Sequence, residues 1–150
     1  KLAINHIVRN GIEKSCPMCS SQYMCDDLEC VICFEKSFAS HERVKFLNKE
    51  KHGNVDMRRI FKNSNEKYWF DCDCDCGHEF DAVISAITNG NWCPYCCKFA
   101  RKLCGDTKCK LCFKKSFASH SKSIYWSNKN NIKPREATKN SDNKYYFNFK

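Results

Sequence analysis

The chain has 150 residues, of which 14 are cysteine, 26 are Lys or Arg and 17 are Asp or Glu, for a formal net charge of +9 at pH 7. That length suits one ordinary domain or a few very small ones, and cysteine this dense marks a disulfide or metal scaffold in place of one large apolar core. No apolar run is long enough to span a bilayer, and residues 1–15 lack the apolar stretch and cleavage site of a signal peptide. The chain begins at Lys1 and stops in a strand-like run, which reads as a fragment of a longer array.

In chain order the first motif is the knuckle Cys16-Pro-Met-Cys19. Cys25-Asp-Asp-Leu-Glu-Cys30-Val-Ile-Cys33 follows, then Ser37-Phe-Ala-Ser-His41. Ser37 is an expected N-cap, which would put His41 on the first turn of a short helix, facing back at the cysteines. Lys67-Tyr-Trp-Phe-Asp71 has the aromatic, alternating character of a strand. It runs into Cys72-Asp-Cys74-Asp-Cys76-Gly77-His78, then the turn pair Asn89-Gly90, then Cys93-Pro-Tyr-Cys96.

Self-comparison reveals a repeat. Cys25 to His41 recurs as Cys104 to His120, offset by 79, with Ser116 in the place of Ser37. Cys16/Cys19 recurs as Cys93/Cys96 and Lys62-Asn-Ser64 as Lys139-Asn-Ser141, both offset by 77. The expected organisation is therefore residues 1–19 as the end of one unit, 20–96 as a whole unit and 97–150 as the front of the next.

Four Cys-x2-Cys pairs favour metal over redox chemistry, which needs one such motif opening a helix, and over a disulfide framework. A tight turn points two sulfurs at one tetrahedral ion, and thiolate with imidazole suits zinc. Two Cys-x4-Cys-x2-Cys-x7-His sets are read as Cys25/Cys30/Cys33/His41 and Cys104/Cys109/Cys112/His120. In a third site Cys93 and Cys96 take two donors from Cys72, Cys74, Cys76 and His78; Cys74 with His78 is the first choice, Cys74 with Cys76 the alternative. Cys16 and Cys19 make an incomplete pair whose partners precede Lys1, or are Cys72, Cys76 or thiols of a neighbouring molecule. About three complete Zn2+ sites are expected.

The pattern aromatic-x-Cys, Gly77-His78-Glu79-aromatic, and Trp92-Cys93-Pro94-Tyr95-Cys96 resembles the probable zinc-ribbon family, a treble-clef-like domain found in tandem in nucleocytoplasmic giant viruses. The resemblance covers about Ser37 to Cys96 and starts again at Ser116. It implies a small metal-stabilised α+β fold of tandem zinc-ribbon or treble-clef-like units, built from short hairpins and short helices. It implies Cys74, His78, Cys93 and Cys96 as ligands. The Cys72-Asp-Cys74-Asp-Cys76 alternation departs from the family pattern.

The charge is uneven. Residues 1–36 hold 4 basic and 5 acidic groups, 37–92 hold 8 and 9, and 93–150 hold 14 and 3. A basic stretch with interleaved aromatics suits a phosphate backbone and exposed bases. Lys114, Lys115, Lys122, Lys129 and Lys133 are the expected nucleic-acid contacts, with Lys98, Arg101, Lys102, Lys108, Lys110 and Arg135 further phosphate candidates; Trp126, in the place of Leu47, is expected either to repack the core or to stack on a base. The acidic run Asp71, Asp73, Asp75, Glu79 and Asp81 should stay away from phosphate.

No phosphate-cradling loop, HExxH or Gly-x-Ser-x-Gly motif occurs, and metal sites filled by protein ligands leave no open position, so the expectation is a non-enzyme. The primary reading is a structural zinc-binding repeat protein that binds nucleic acid. The alternatives are a virion or scaffold module that binds protein or self-associates, and the targeting region of a larger nuclease. Neither a membrane nor a small-molecule substrate is expected. Free thiols imply a reducing compartment, which means cytoplasm, nucleus or viral factory, with packaging in a virion an alternative. Excess strong chelator is expected to collapse the circular-dichroism spectrum and the thermal midpoint, because structural zinc contributes about 10–16 kcal/mol at neutral pH; an unchanged midpoint would exclude metal as the scaffold.

Overall fold

The computed structural model describes residues 23–98 and 102–149, so Cys16, Cys19 and the expected unit 1–19 lie outside the described residues. In chain order the elements are α1 (Val31–Lys36), the 3-10 turns η1 (Phe38–Ser40) and η2 (Glu42–Phe46), α2 (Lys49–His52), η3 (Met57–Arg59), strands β1 (Lys67–Asp71) and β2 (Glu79–Val83), and α3 (Ile84–Thr88). Then come α4 (Lys110–Lys115), η4 (Phe117–Ser119) and η5 (Ser121–Tyr125). β1 and β2 form a two-stranded sheet. This is a small metal-stabilised α+β architecture, with elements too short to stand alone.

The compact units cut the chain at other points than the repeat does. One holds the described residues through Phe70 together with Asp81–Asn91; the other holds Asp71–Phe80 and the described residues from Trp92 onward.

In the first unit, α1 begins directly at Cys30 and buries only Cys33. It stops at Ser37, whose backbone is extended and whose hydroxyl donates to the Phe34 carbonyl at 2.7 Å. Ser37, fully buried, bridges to Phe61, and the Phe38 N–H donates to Ile60 at 2.7 Å. The chain thus turns inward there and carries Phe38 into the core. Phe38 is fully buried and meets Phe70 edge-on, ring centroids 5.9 Å apart. β1 alternates, with Tyr68 and Phe70 inward and Lys67, Trp69 and Asp71 outward. Ile84 and Ile87, three apart on α3, add a buried aliphatic face, and Leu47 and Met57 are buried as well. The Tyr68 hydroxyl donates to Glu66 at 2.7 Å; burial first and that carboxylate second push its pKa up to about 12.

The second unit presents the same order of elements. α4, η4 and η5 lie 79 positions after α1, η1 and η2. The bridges Ser116↔Thr138 and Trp126↔Phe147 answer Ser37↔Phe61 and Leu47↔Phe70. Trp126 stands in the place of Leu47 and joins Phe117, Tyr145 and Phe147 in a cluster with centroids 4.7–5.6 Å apart.

With so few large buried side chains, each one matters. Phe38→Ala is expected to cost about 3–5 kcal/mol in denaturant unfolding of the zinc-loaded protein; a loss below about 1 kcal/mol would show that the Phe38–Phe70 contact is not a core contact.

Candidate metal centre

Each cysteine knuckle is built by backbone donors. In the first unit, the sulfurs of Cys25, Cys30 and Cys33 lie within 4.8 Å of one another, and the Cys25 N–H donates to Cys33 Sγ at 3.4 Å. Asp27 Oδ1 accepts from the Glu29 N–H at 2.9 Å and tightens the loop. Arg58 closes it from outside: its Nη2 donates to the carbonyls of Asp27 at 3.0 Å and Cys30 at 2.9 Å, and its guanidinium lies over Phe34. The second unit repeats this. Cys104 N–H donates to Cys112 Sγ at 3.4 Å, Lys108 N–H to Asp106 Oδ1 at 2.8 Å, and Arg135 Nη2 to the Asp106 carbonyl at 2.8 Å.

His41 and His120 are not among the donors gathered within 4.8 Å in these groups. His41 stacks on Phe38 at 5.2 Å with an 11° interplanar angle, and its Nδ1 accepts the Arg43 N–H at 3.2 Å as the N-cap of η2. His120 does the same on Phe117, at 5.5 Å and 12°, and caps η5 through the Lys122 N–H at 3.2 Å. The inward turn at Ser37 and Ser116 carries both imidazoles toward the aromatic core. Ser37 and Ser116 are the N-cap residues of η1 and η4, without a side-chain cap bond, and His41 and His120 cap the next turns, η2 and η5.

The histidine that meets thiols is His78, in the second unit. Gly77, at φ +58, makes the left-handed turn that only glycine adopts without strain. The Gly77 N–H donates to the Cys74 carbonyl at 3.2 Å and the Cys72 N–H to the His78 carbonyl at 2.7 Å, so the loop closes on itself. Buried His78 places Nδ1 3.4 Å from Cys74 Sγ and 3.6 Å from Cys96 Sγ, and Nε2 3.3 Å from Cys109 Sγ and 3.5 Å from Cys112 Sγ. Three donor groups result: His78/Cys104/Cys109/Cys112, Cys72/Cys74/Cys96 and His78/Cys93/Cys96. Cys74, His78, Cys93 and Cys96 are therefore brought near one another, and buried Cys72, at 3.4 Å from Cys96, joins them. Exposed Cys97 turns its sulfur to the Pro94 carbonyl at 3.5 Å.

The electrostatics test the fit for a cation. Burial pushes Cys72 and Cys112 up to about 12, and burial raises Cys96 still further. A hydrogen bond to Cys33 pushes Cys25 up to about 11, while the Cys33 backbone N–H pulls Cys30 down. Burial opposes ionisation of Cys109, but the Cys112 N–H and neighbouring thiols outweigh it and lower its pKa. Burial, then the Lys115 charge, lower His78 and keep its imidazole neutral. Thiols this crowded ionise together only around a cation that neutralises them. Sulfur with neutral imidazole, in sets of three and four, is the donor chemistry of zinc. Bound there, zinc would cross-link loops that have little core of their own.

Two features escaped the sequence reading. Arg58 and Arg135 recur at an offset of 77 yet act on the knuckles; Arg135 had been read as a phosphate contact. Lys115 is half-buried, and its Nζ donates to the carbonyls of Tyr95 at 3.0 Å and Cys97 at 2.6 Å, clamping the Cys-Pro-Tyr-Cys turn. The Trp126 Nε1 donates to the Ile132 carbonyl at 3.0 Å and its ring belongs to the aromatic cluster. Lys114, Lys122, Lys129 and Lys133 are exposed.

A small α+β module organised around Cys and Cys/His groups has the donor chemistry of a zinc finger. Residues 44–99 match the family described as Probable Treble clef zinc finger domain. The chain is also similar to an uncharacterized protein of Acanthamoeba polyphaga mimivirus, 36% identical over 132 residues, covering 87% of this chain. The chain spans 31% of that relative's length. No solved structure matches it. No described helix is long and apolar enough to cross a membrane.

His41→Ala is expected to leave the zinc content unchanged while lowering stability by about 1 kcal/mol, the usual worth of a cap. Elemental analysis that finds less metal in this variant would return His41 to the ligand set.

Proposed function

We propose that this chain is a structural, non-catalytic zinc module that binds nucleic acid through the basic part of its second unit, with about three zinc sites in a tandem array. The observation that carries the reading is a hollow of about 160 Å³ lined by Lys98, Lys114, Lys115, Lys139, Thr138 and Asn140. The ammonium groups of Lys98, Lys114 and Lys139, a hydroxyl and an amide around a concavity, with the Lys115 ammonium held by two carbonyls and no acid among its described lining residues, suit a phosphate. Residues 93–150 supply 14 basic groups against 3 acidic ones, so the surrounding field has the same sign.

A second hollow, of about 340 Å³, supports contact with bases as well. Lys129, Lys144, Asn131, Asn143, Tyr145 and Tyr146 are among its lining. Asn130 holds the Tyr146 backbone by two 2.8 Å hydrogen bonds, while the residue stays 65% exposed. A tyrosine with a pinned backbone and an open ring, flanked by lysines, suits a stacking platform. Free thiols favour a reducing compartment, the cytoplasm, nucleus or viral factory of an infected cell.

One observation favours the second reading, a protein-binding or self-associating module of a viral assembly. Leu28, Val31, Ile32 and Phe34 are 40–69% exposed around the first knuckle, where the second unit has Thr107, Lys110, Leu111 and Phe113.

Fluorescence anisotropy with single-stranded oligonucleotides is expected to give affinities whose logarithm falls linearly with the logarithm of salt. Lys114→Glu with Lys139→Glu should weaken binding and flatten that slope by at least about 2. Tyr146→Ala should cost about 1–3 kcal/mol of single-strand affinity at unchanged zinc content. Salt-insensitive behaviour with concentration-dependent sedimentation would favour the assembly reading.

A further inference from the structure

We propose that His78 is the fourth ligand of the Cys104/Cys109/Cys112 knuckle, while its other ring nitrogen hydrogen-bonds to sulfurs of a separate four-thiol site made by Cys72, Cys74, Cys93 and Cys96. The inference rests on the zinc reading above and is independent of nucleic-acid binding. It departs from the ligand set that the family pattern implies, in which His78 completes the Cys93/Cys96 site.

The argument is one of donor number and ring geometry. Two tetrahedral ions need eight donors. His78, Cys104, Cys109 and Cys112 already form a group of four, all within 4.8 Å of one another. Most of the remaining sulfurs also converge: Cys72 lies 3.4 Å from Cys96 and Cys74 shares their group, while Cys93 gathers with Cys96 and His78 and is linked to Cys72 and Cys96 by thiol hydrogen bonds. Assigning His78 to the second set instead would leave Cys72 a surplus thiol, 8% exposed, against a filled site, and the knuckle with three thiols.

The ring carries both contacts at once. A neutral imidazole whose Nε2 lone pair faces a metal holds its proton on Nδ1. That N–H points at Cys74 Sγ, 3.4 Å away, and Cys96 Sγ, 3.6 Å away, where thiolates would accept it. Metal-bound histidines commonly donate their second N–H to an acceptor that fixes the ring; here the acceptors belong to the neighbouring site. Each ligating thiol gives its proton to solvent, three at the knuckle and four at the other set, and His78 gives none. Tyr95 packs on the imidazole at 4.7 Å and holds its plane. Cys76 is the rival fourth ligand, since it lines a hollow together with Cys109, but it is not in the four-member group.

In the first unit Cys25, Cys30 and Cys33 likewise gather as three thiols with His41 turned away.

The test uses the full chain loaded with Zn2+. Long-range 1H–15N NMR of the histidine rings should show His78 coordinated through Nε2 with a proton on Nδ1, and His41 and His120 uncoordinated. Elemental analysis should find one zinc fewer in His78→Asn than in the parent, the full complement restored in His78→Cys, and no loss in His120→Ala or Cys76→Ser. Coordination through Nδ1, no coordination, or loss of a zinc in Cys76→Ser or His120→Ala would overturn the proposal while the zinc reading stood. A parent chain that binds no zinc would end both. Should His78→Asn fail to fold, the parent NMR spectrum and the His78→Cys stoichiometry still decide the question.

Discussion

Sulfur atoms gathered within 4.8 Å of one another, several of them buried, cannot all ionise without an opposing charge. Everything else in this chain is arranged around that constraint. The helices α1 and α4 have six residues each and the strands five, below the length at which such elements persist alone. Zinc converts the repulsion of the thiolates into a cross-link, and the loops between cysteines become the rigid part of the molecule.

The knuckles are prepared for this by the backbone. N–H groups of Cys25 and Cys104 aim at sulfur, acidic side chains of Asp27 and Asp106 tighten the loops, and Arg58 and Arg135 hold loop carbonyls from outside. Backbone donors stabilise thiolate without adding a competing cation. Lys115 extends the same logic to the Cys-Pro-Tyr-Cys turn, where its ammonium bonds carbonyls, not sulfur. Side chains that read as surface charge in a basic sequence thus divide into those that build the knuckles and those that face solvent.

That division sharpens the functional reading. With Arg135 and Lys115 committed to the fold, the exposed Lys114, Lys122, Lys129, Lys133, Lys139 and Lys144 are among the cations that face solvent. They sit on the side of the chain with the strongest charge imbalance, whereas the acidic Asp71–Asp81 run accompanies the sulfur loop. Asp73 there accepts the Trp92 indole N–H at 2.8 Å, so at least one of these carboxylates has a structural partner.

Local pattern alone determined much. The Cys-x2-Cys pairs, the offsets of 77 and 79, the strand at Lys67–Asp71 and the glycine turn before His78 are read within a few residues of chain, where short-range geometry decides. The donor identities and the zinc chemistry followed from residue type. What only the tertiary structure decided is which donors share a site. His41 and His78 look equally suitable on spacing, but one is drawn by Phe38 into a stacked cap and the other is pressed between two sulfur groups by Gly77 and Tyr95. The same holds for Trp126, aromatic and flanked by lysines in sequence, yet satisfied inside a cluster. Spacing limits how far a side chain can reach; where it points depends on the packing of residues distant in the chain, and one sequence read locally does not contain that.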